Sequence, residues 1–397
     1  MTVSVEQIQR IAGFELNALR LSGALGEEFE KVRIPKRGTT IYDLNGAVLF
    51  YRIPLRRGQI ASGYVDIAAD EAFGEPLLAT SMGLAWDEKA LLETGTARVL
   101  EVWPQLKYDA VRFVAYSFPK IALQFLLRRK EVLMLELFSW VEIPPKPPEP
   151  RKQLEPSNFE RWSLLDELPE NVKRTRVRNF RERLELSNLP ALQMIDLSVI
   201  MKEKLQIRDI VIKLFDTWEI HYSQRQNDHY TCYELRSQQT PVWCVAASVE
   251  MVLNFYRYSY DQVRIAQELD LGTCAMPNGL PYSRVGDVVT VMENLTSNAL
   301  DVTMHTNPTW NIFHSEISAN RPMISFIPGH SRSVAGYTHS LLNFPGQVPY
   351  RGLLVYDPWP PPATNCTDPE VGGVITRWEN FATQTYQFAY SSVLRQV

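Results

Sequence analysis

The chain has 397 residues, which exceeds the usual size of a single domain and predicts two or three domains. Hydrophobic residues make up 45% of the chain and charged residues 22%, and the formal net charge is -4 at pH 7. This is the composition of a globular protein without the basic excess of nucleic-acid-binding proteins, so no nucleic-acid partner is expected.

The first twenty residues lack the charged leader and the apolar stretch of a secretory signal, and no apolar run of 18 residues follows. We therefore expect a cytoplasmic protein with no membrane span. The cysteines form no Cys-x-x-Cys pair, and neither Cys nor His recurs at zinc-ligand spacing, which predicts no metal and no cofactor. In a reducing compartment all four would be thiols, namely Cys232, Cys244, Cys274 and Cys366.

Residues 1–150 are predicted to form a small α+β domain. The chain opens with a helix capped by Ser4 and Gln7, and strand-like segments separated by turns follow. Asn45-Gly46 lies between apolar stretches and is a strong hairpin-turn dipeptide. Six prolines in residues 143–156 favour an extended, exposed connection and mark the end of this domain.

Residues 151–231 are predicted to be a linker followed by a helical segment. Residues 173–183 carry six cations, which fit two interpretations. The run is either a solvated helix face or a basic surface that docks on an acidic partner. The acidic partner could be another part of the same chain, because residues 232–397 contain no lysine, nine arginines and thirteen acidic residues.

Residues 232–397 are predicted to be the third unit, again α+β, with helices preceding strands. A capping pattern at Ser259 and Gln262 marks the start of the second helix. The other expected helices cover residues 244–256, 283–295 and 309–320, and the expected strands lie within residues 321–328, 338–344 and 352–358.

Cys244 stands where a reactive thiol is expected. Pro241 breaks the chain just before it, and "VAASVEMVLNFY" then supplies a helical stretch, so the thiol lies at a helix N-terminus. The helix dipole and the free N–H groups there favour an anion and lower the pKa of a cysteine. Gln238 precedes it by six residues, and its amide could flank one oxyanion site together with the backbone N–H of Cys244.

A thiol nucleophile also requires a base and a group that orients the base. His339 begins the predicted strand "HSLLNF", and Asp357 ends the next one, so neighbouring antiparallel strands would bring carboxylate and imidazole together. Trp359 could exclude water from that hydrogen bond. His330 is the rival base, but it falls in the Pro-Gly turn "IPGHSRS" before the strand.

The sequences "QQTPVWCVAAS", "NRPMISFIP", "GYTHSLLNF" and "LLVYDPWP" resemble the ordered landmarks of papain-like cysteine peptidases. The similarity is greatest to the compact branch that resembles bacteriocin-leader-processing peptidases, and it covers residues 232–397. It implies a papain-like fold with Cys244 as nucleophile, His339 as base, Asp357 as orienting group and Gln238 as oxyanion donor. Val245 departs from the pattern, because many relatives have Trp or Gly after the cysteine.

The N-terminal half is similar to the propeptides of streptopain-type cysteine peptidases through "YDLNGAVLFYRIP", "GYVDIAADE" and "PLLATSMG". This resemblance implies that residues 1–150 are a prodomain in contact with the catalytic domain. The chain is thus predicted to be a cysteine peptidase zymogen acting on a peptide or protein. The same triad would also serve an acyltransferase or isopeptidase, and a catalytically silent scaffold is a further alternative.

Overall fold

The computed structural model describes scattered positions between residues 12 and 35, and then residues 37–83, 86–145, 161–186, 215–340 and 350–395. The last two ranges lack residues 221, 226–228, 234, 362, 363 and 367–374. The predicted cap at Ser4 and Gln7, and most of the helical pattern in residues 197–215, lie outside the described residues.

The N-terminal region, residues 12–143, contains eight described strands and one long helix. Helix α1 spans Glu88–Val102, and Asp87 caps its first turn. The predicted hairpin at Asn45-Gly46 is confirmed, since β2 and β3 pair antiparallel across it and Gly46 has a φ of 89°. The strands are β1 Val32–Arg33, β2 Thr39–Asp43, β3 Val48–Arg57, β4 Ile60–Ala68, β5 Leu77–Met82, β6 Ala110–Ser117, β7 Lys120–Leu127 and β8 Lys130–Glu136.

Two helices follow, α2 at Leu164–Glu167 and α3 at Glu170–Leu186. Helix α3 carries the cationic run, and its cations bind both halves of the chain. Arg181 and Arg183 form ion pairs with Glu71 and Glu75 of the N-terminal region, and Arg176 donates to the backbone oxygen of Gln384 at 2.7 Å. The helix is therefore docked through Arg176, Arg181 and Arg183, whereas Arg174 and Arg178 are exposed, and the carboxylates it pairs with belong to the N-terminal region.

The C-terminal region, residues 215–395, contains four described helices and nine strands. The predicted start of the first helix is confirmed, since α4 spans Cys244–Phe255. Helix α5 spans Gln262–Glu268, and its cap is Asp261 rather than Ser259; α6 spans Asp287–Leu295 and α7 spans Trp310–Ser318. The strands are β9 Phe215–Glu219, β10 Tyr222–Arg225, β11 His229–Cys232, β12 Leu300–Thr306, β13 Met323–Ile327, β14 His330–Ser340, β15 Arg351–Asp357, β16 Ile375–Asn380 and β17 Phe388–Leu394.

One mainly antiparallel sheet joins the two regions. Its strand order is β12-β17-β13-β14-β15-β16-β5-β4-β3-β2-β6-β7-β8, with β1 paired to β3 and β9 paired to β14. The junction is the antiparallel pair β16–β5, from Thr376 opposite Met82 to Glu379 opposite Ala79. Buried apolar side chains from both regions share one large core cluster, and a second, small cluster lies within the N-terminal region. Helices and a large sheet are thus both present, as an α+β chain with a papain-like part requires.

Strand β14 begins earlier than the sequence suggested. Pro328 and Gly329 form the whole turn between β13 and β14, because Ile327 pairs directly with His330. Gly329 has a φ of 64°, and a proline followed by a left-handed glycine is suited to the two central positions of a tight turn. His330 is therefore the first residue of a strand and does not lie in a loop.

Cys274 and Cys366 form a disulfide bond, with Cα atoms 5.8 Å apart, so the expectation of four thiols is wrong for this pair. The two cysteines lie 92 residues apart, and no local motif marks them as partners. The backbone N–H of Cys366 also donates to the oxygen of Gln239, which attaches this crosslink to the segment that precedes Cys244. None of the described helices is long and apolar enough to cross a membrane.

Candidate active site

Cys244 is the first residue of α4, and packing fixes its position. Helix α4 is almost entirely apolar and buried, and Trp243, which precedes the thiol, is fully buried and donates its indole N–H to the oxygen of Leu271 at 2.9 Å. Gln262 holds the preceding segment, since its amide donates to the oxygen of Ser237 and accepts the N–H of Gln239. The thiol is therefore carried by a rigid helix N-terminus.

His330 forms a buried pair with Asp357. Its Nε2 lies 2.6 Å from Oδ1 of Asp357, and both side chains are only 1% exposed. The backbone N–H of Trp359 donates to the same carboxylate oxygen at 3.1 Å. Asp357 is the last residue of β15, as predicted, and it orients the imidazole by accepting a ring N–H.

Cys244 and His330 line one cavity. Its walls come from the start of α4, the β13–β14 turn and the segment before α6, and one residue is contributed by β7. The lining side chains near the thiol are apolar apart from Lys120, Tyr282, His330 and Ser331. Because Nε2 of His330 is bound to Asp357, Nδ1 is the ring nitrogen left to exchange a proton with a group in this cavity.

Two serines fix the helix against the strand next to the cavity. Ser248, one turn after Cys244, donates to the oxygen of Cys244 at 2.8 Å. Ser331, which follows His330, donates to the hydroxyl of Ser248 at 3.0 Å. The start of α4 and the start of β14 are thus held together, which limits how far thiol and imidazole can separate.

Burial dominates the titration of both groups. Although the Cys244 residue is partly exposed, protein atoms crowd its thiol, and burial raises its pKa. Lys120 and the backbone amides of Ser331 and Val245 oppose that rise by stabilising the thiolate. Burial lowers the pKa of His330 to about 4, although Asp357 favours the charged ring. Both shifts favour the neutral thiol and the neutral imidazole over the thiolate–imidazolium pair.

Gln238 is buried beside the same elements. Its backbone N–H donates to the oxygen of Pro358, the residue after Asp357. Its Nε2 donates one hydrogen to the oxygen of Thr240 at 2.8 Å, and the side chain is not part of the cavity wall. An amide nitrogen carries two hydrogens, so one remains for another acceptor.

His339 does not pair with Asp357, contrary to the sequence interpretation. His339 lies opposite Arg351 at the far end of β14, six residues from Asp357 along β15, which corresponds to about 20 Å. Its Nε2 lies 3.1 Å from Oδ2 of Asp216 in β9 instead. The error follows from the late start assigned to β14, which left His339 as the apparent first residue of the strand.

The N-terminal region reaches this site through the β6–β7 turn. Ser117 donates its hydroxyl to the oxygen of Pro328 at 2.8 Å, and Nζ of Lys120 donates to the oxygen of Gly329 at 2.7 Å. Both acceptors belong to the turn that precedes His330. Lys120 also lines the cavity and is the only lysine among the lining residues that the structure describes.

A second contact from the N-terminal region covers the Asp357 side. Glu136 accepts the indole N–H of Trp359 at 3.1 Å and also hydrogen bonds with the hydroxyl of Tyr116. The ring of Phe138 packs edge-on against Trp359 with centroids 5.5 Å apart. Trp359 is thus buried against the N-terminal region, and its partners could not be inferred from local sequence because they lie more than 200 residues away.

Residues 221–386 match the Peptidase_C39 like family, a range that includes Gln238, Cys244, His330, His339 and Asp357 but less than half of the chain. The match supports a cysteine peptidase, and therefore a hydrolase, in the C-terminal region. It does not extend to the region for which a propeptide similarity was inferred.

Among solved structures, the chain is similar to the crystal structure of UfSP from C. elegans, with 10% identity and a TM-score of 0.29. The alignment covers 46% of this chain and 34% of that chain, about a third of its length. A similarity this low does not bear on function. Curated protein sequences give no match to the chain.

Proposed function

We propose that the chain is a cysteine peptidase in which Cys244 is the nucleophile, His330 the base and Asp357 the orienting group. The observation that carries the proposal is the buried 2.6 Å bond between His330 and Asp357, with His330 and Cys244 lining the same cavity. The Peptidase_C39 like match over the same residues supports this reading. His330 replaces His339 in the triad that the sequence suggested.

The proposed chemistry is a two-step acyl transfer. The thiol proton of Cys244 passes to Nδ1 of His330, and the sulphur attacks the peptide carbonyl carbon, which forms a C–S bond and an oxyanion. Collapse of this intermediate breaks the C–N bond, and His330 gives its proton to the leaving amine. His330 then takes a proton from water, whose oxygen attacks the thioester and releases the acid and the thiol.

The oxyanion would be stabilised by the backbone N–H of Cys244 and the second amide hydrogen of Gln238. Cys244 begins α4, so its N–H has no acceptor within the helix, and the helix dipole favours negative charge there. Gln238 lies close in sequence and is held beside Pro358.

We further propose that the N-terminal region acts as an intramolecular cover, so that the intact chain is a zymogen. Ser117 and Lys120 hold the turn before His330, and Glu136 holds Trp359. Self-cleavage between the proline-rich residues 143–156 and Gln238 would separate the cover from the catalytic part.

Prolonged incubation of the purified chain, followed by intact-mass analysis, tests both proposals. The wild-type protein should yield fragments cut between residues 143 and 238, and it should cleave added denatured casein. Cys244→Ala should do neither, because acyl transfer requires the thiol. Cys232→Ala is the matched control, because it also removes a thiol and should behave like the wild type.

The possible outcomes separate the two proposals. Cleavage of the chain or of casein by the Cys244→Ala variant would contradict the assignment of Cys244 as the nucleophile. A wild-type chain that digests casein while remaining intact would leave the peptidase assignment standing and refute the zymogen. Wild-type protein that does neither, even after protease cleavage within residues 143–156, would favour a silent scaffold.

A further inference from the structure

The other end of β14 carries a second cluster of titratable side chains, made of Asp216, His314 and His339. The three come from different elements, namely β9, α7 and the end of β14. One potential ligand atom from each lies within 4.8 Å of the other two. His330 is nine residues away along the strand, about 30 Å, so this cluster is separate from the proposed active site.

The spacing of these atoms suits a metal ion. Oδ2 of Asp216 lies 3.1 Å from Nε2 of His339 and 3.8 Å from Nε2 of His314. A tetrahedral ion with ligands at about 2.1 Å requires its ligand atoms to be about 3.4 Å apart. These two separations therefore differ from that value by only a few tenths of an ångström, and the third, between the two imidazoles, is at most 4.8 Å.

His314 supplies an independent reason to expect a ligand. Its Nε2 is inaccessible to solvent and has no hydrogen-bond partner among the described residues, although the rest of the side chain is partly exposed. A buried polar atom that lacks a partner is costly, and a metal ion bound to its lone pair removes that cost. The atom points toward the carboxylate that His339 already contacts.

The neighbours of the cluster hold its groups in position. Tyr337 donates its hydroxyl to Oδ2 of Asp216 at 2.9 Å. The buried ring of Trp310 packs near both imidazoles, with centroids 6.1 Å from each. Hydrogen bonds and packing of this kind orient the ligands of protein metal sites.

We propose that Asp216, His314 and His339 bind a divalent transition-metal ion of the zinc class. Two imidazoles and one carboxylate are ligands that suit Zn²⁺, Co²⁺ and Ni²⁺, whereas Ca²⁺ and Mg²⁺ prefer oxygen ligands alone. The ion would join β9 to β14 and α7. Because Asp216 remains 43% exposed, a fourth position can be filled by water.

The sequence predicted no metal site because these ligands lack local spacing. Asp216 is 98 residues before His314 and 123 before His339, so only the fold brings them together. Zinc-binding sequence motifs depend on ligands that are close along the chain. The β9–β14 pairing, in which Asp216 lies opposite His339, supplies the juxtaposition instead.

The test is a Zn²⁺ titration of chelator-treated full-length protein by calorimetry, repeated with Co²⁺ and its visible absorption as the signal. All titrations use protein that carries Cys244→Ala, called the background protein, since the proposed catalytic thiol could itself bind these ions. We expect one equivalent of bound metal in this background. His314→Gln and His339→Gln, added singly, should each weaken binding by about tenfold or more.

His305→Gln is the matched control, because His305 is another partly buried histidine but bonds only to Ser391 among the described residues. It should bind metal like the background protein. His314 is partly exposed, so its variant tests the proposal even if His339→Gln fails to fold. Absence of binding to the background, or equal binding by all the variants, would overturn the proposed site.

Discussion

Each end of strand β14 carries a histidine bonded to an aspartate, but the surroundings of the two pairs differ. His330 and Asp357 are both 1% exposed and 2.6 Å apart. His339 is 23% exposed and lies 3.1 Å from Asp216, which is 43% exposed. The first pair shares a cavity with a thiol and the second adjoins another imidazole. The neighbours of a His–Asp pair, rather than the pair itself, decide its chemistry.

The largest expected difference between the two pairs is in turnover. Asp357→Asn should lower the rate of casein cleavage by about 10²–10⁴-fold, because the neutral amide neither stabilises the imidazolium nor selects its tautomer. Asp216→Asn, the matched change at the other end of the strand, should leave the rate within about twofold, since it lies about 30 Å away. Initial rates of product formation measure both. Equal losses in the two variants would contradict the separation of the sites.

A smaller effect is expected in the pH dependence of stability. The pKa of His330 is about 4 in the folded protein, below its ordinary value of about 6.5, so the unfolded chain binds a proton that the folded chain excludes. Stability should therefore fall as the pH decreases from about 6.5 toward 4. Between pH 7 and pH 5 the loss from this group should be about 1–2 kcal/mol.

Urea unfolding at pH 7 and pH 5 measures this loss. His330→Gln should lose about 1–2 kcal/mol less than the wild type over that interval, because it has no such group to protonate. Ser340→Ala, a change at the other end of β14, should follow the wild type. The same pH dependence in His330→Gln and the wild type would mean that the imidazole is not held neutral.

Local features could be predicted from the sequence. Pro241 followed by an apolar helical run determines where α4 begins, and so places Cys244 at a helix N-terminus. Asn45-Gly46 determines a hairpin, and the apolar run before Asp357 determines where β15 ends. Each of these features depends on residues within about ten positions of one another, so secondary-structure propensity and turn chemistry are sufficient to predict it.

Partners across the sheet could not be predicted in this way. Whether Asp357 faces His330 or His339 depends on where β14 begins and on its register against β15. The two-residue turn at Pro328-Gly329 determines where β14 begins. If β14 is taken as a short strand that starts late, His339 becomes the expected partner of Asp357. If β14 is a long strand that starts at the turn, the partner is His330. No local sequence pattern indicates that Lys120 lies beside Gly329, because the two residues are 209 positions apart in the sequence.

The most direct test of the central claim compares His330→Ala with His339→Ala in the cleavage of denatured casein. The account predicts a loss of at least about 10³-fold for His330→Ala, because proton transfer to and from the substrate requires that imidazole. His339→Ala should retain the rate of the wild type. Loss of activity in His339→Ala with retention in His330→Ala would contradict the assignment of Cys244, His330 and Asp357 as the working triad.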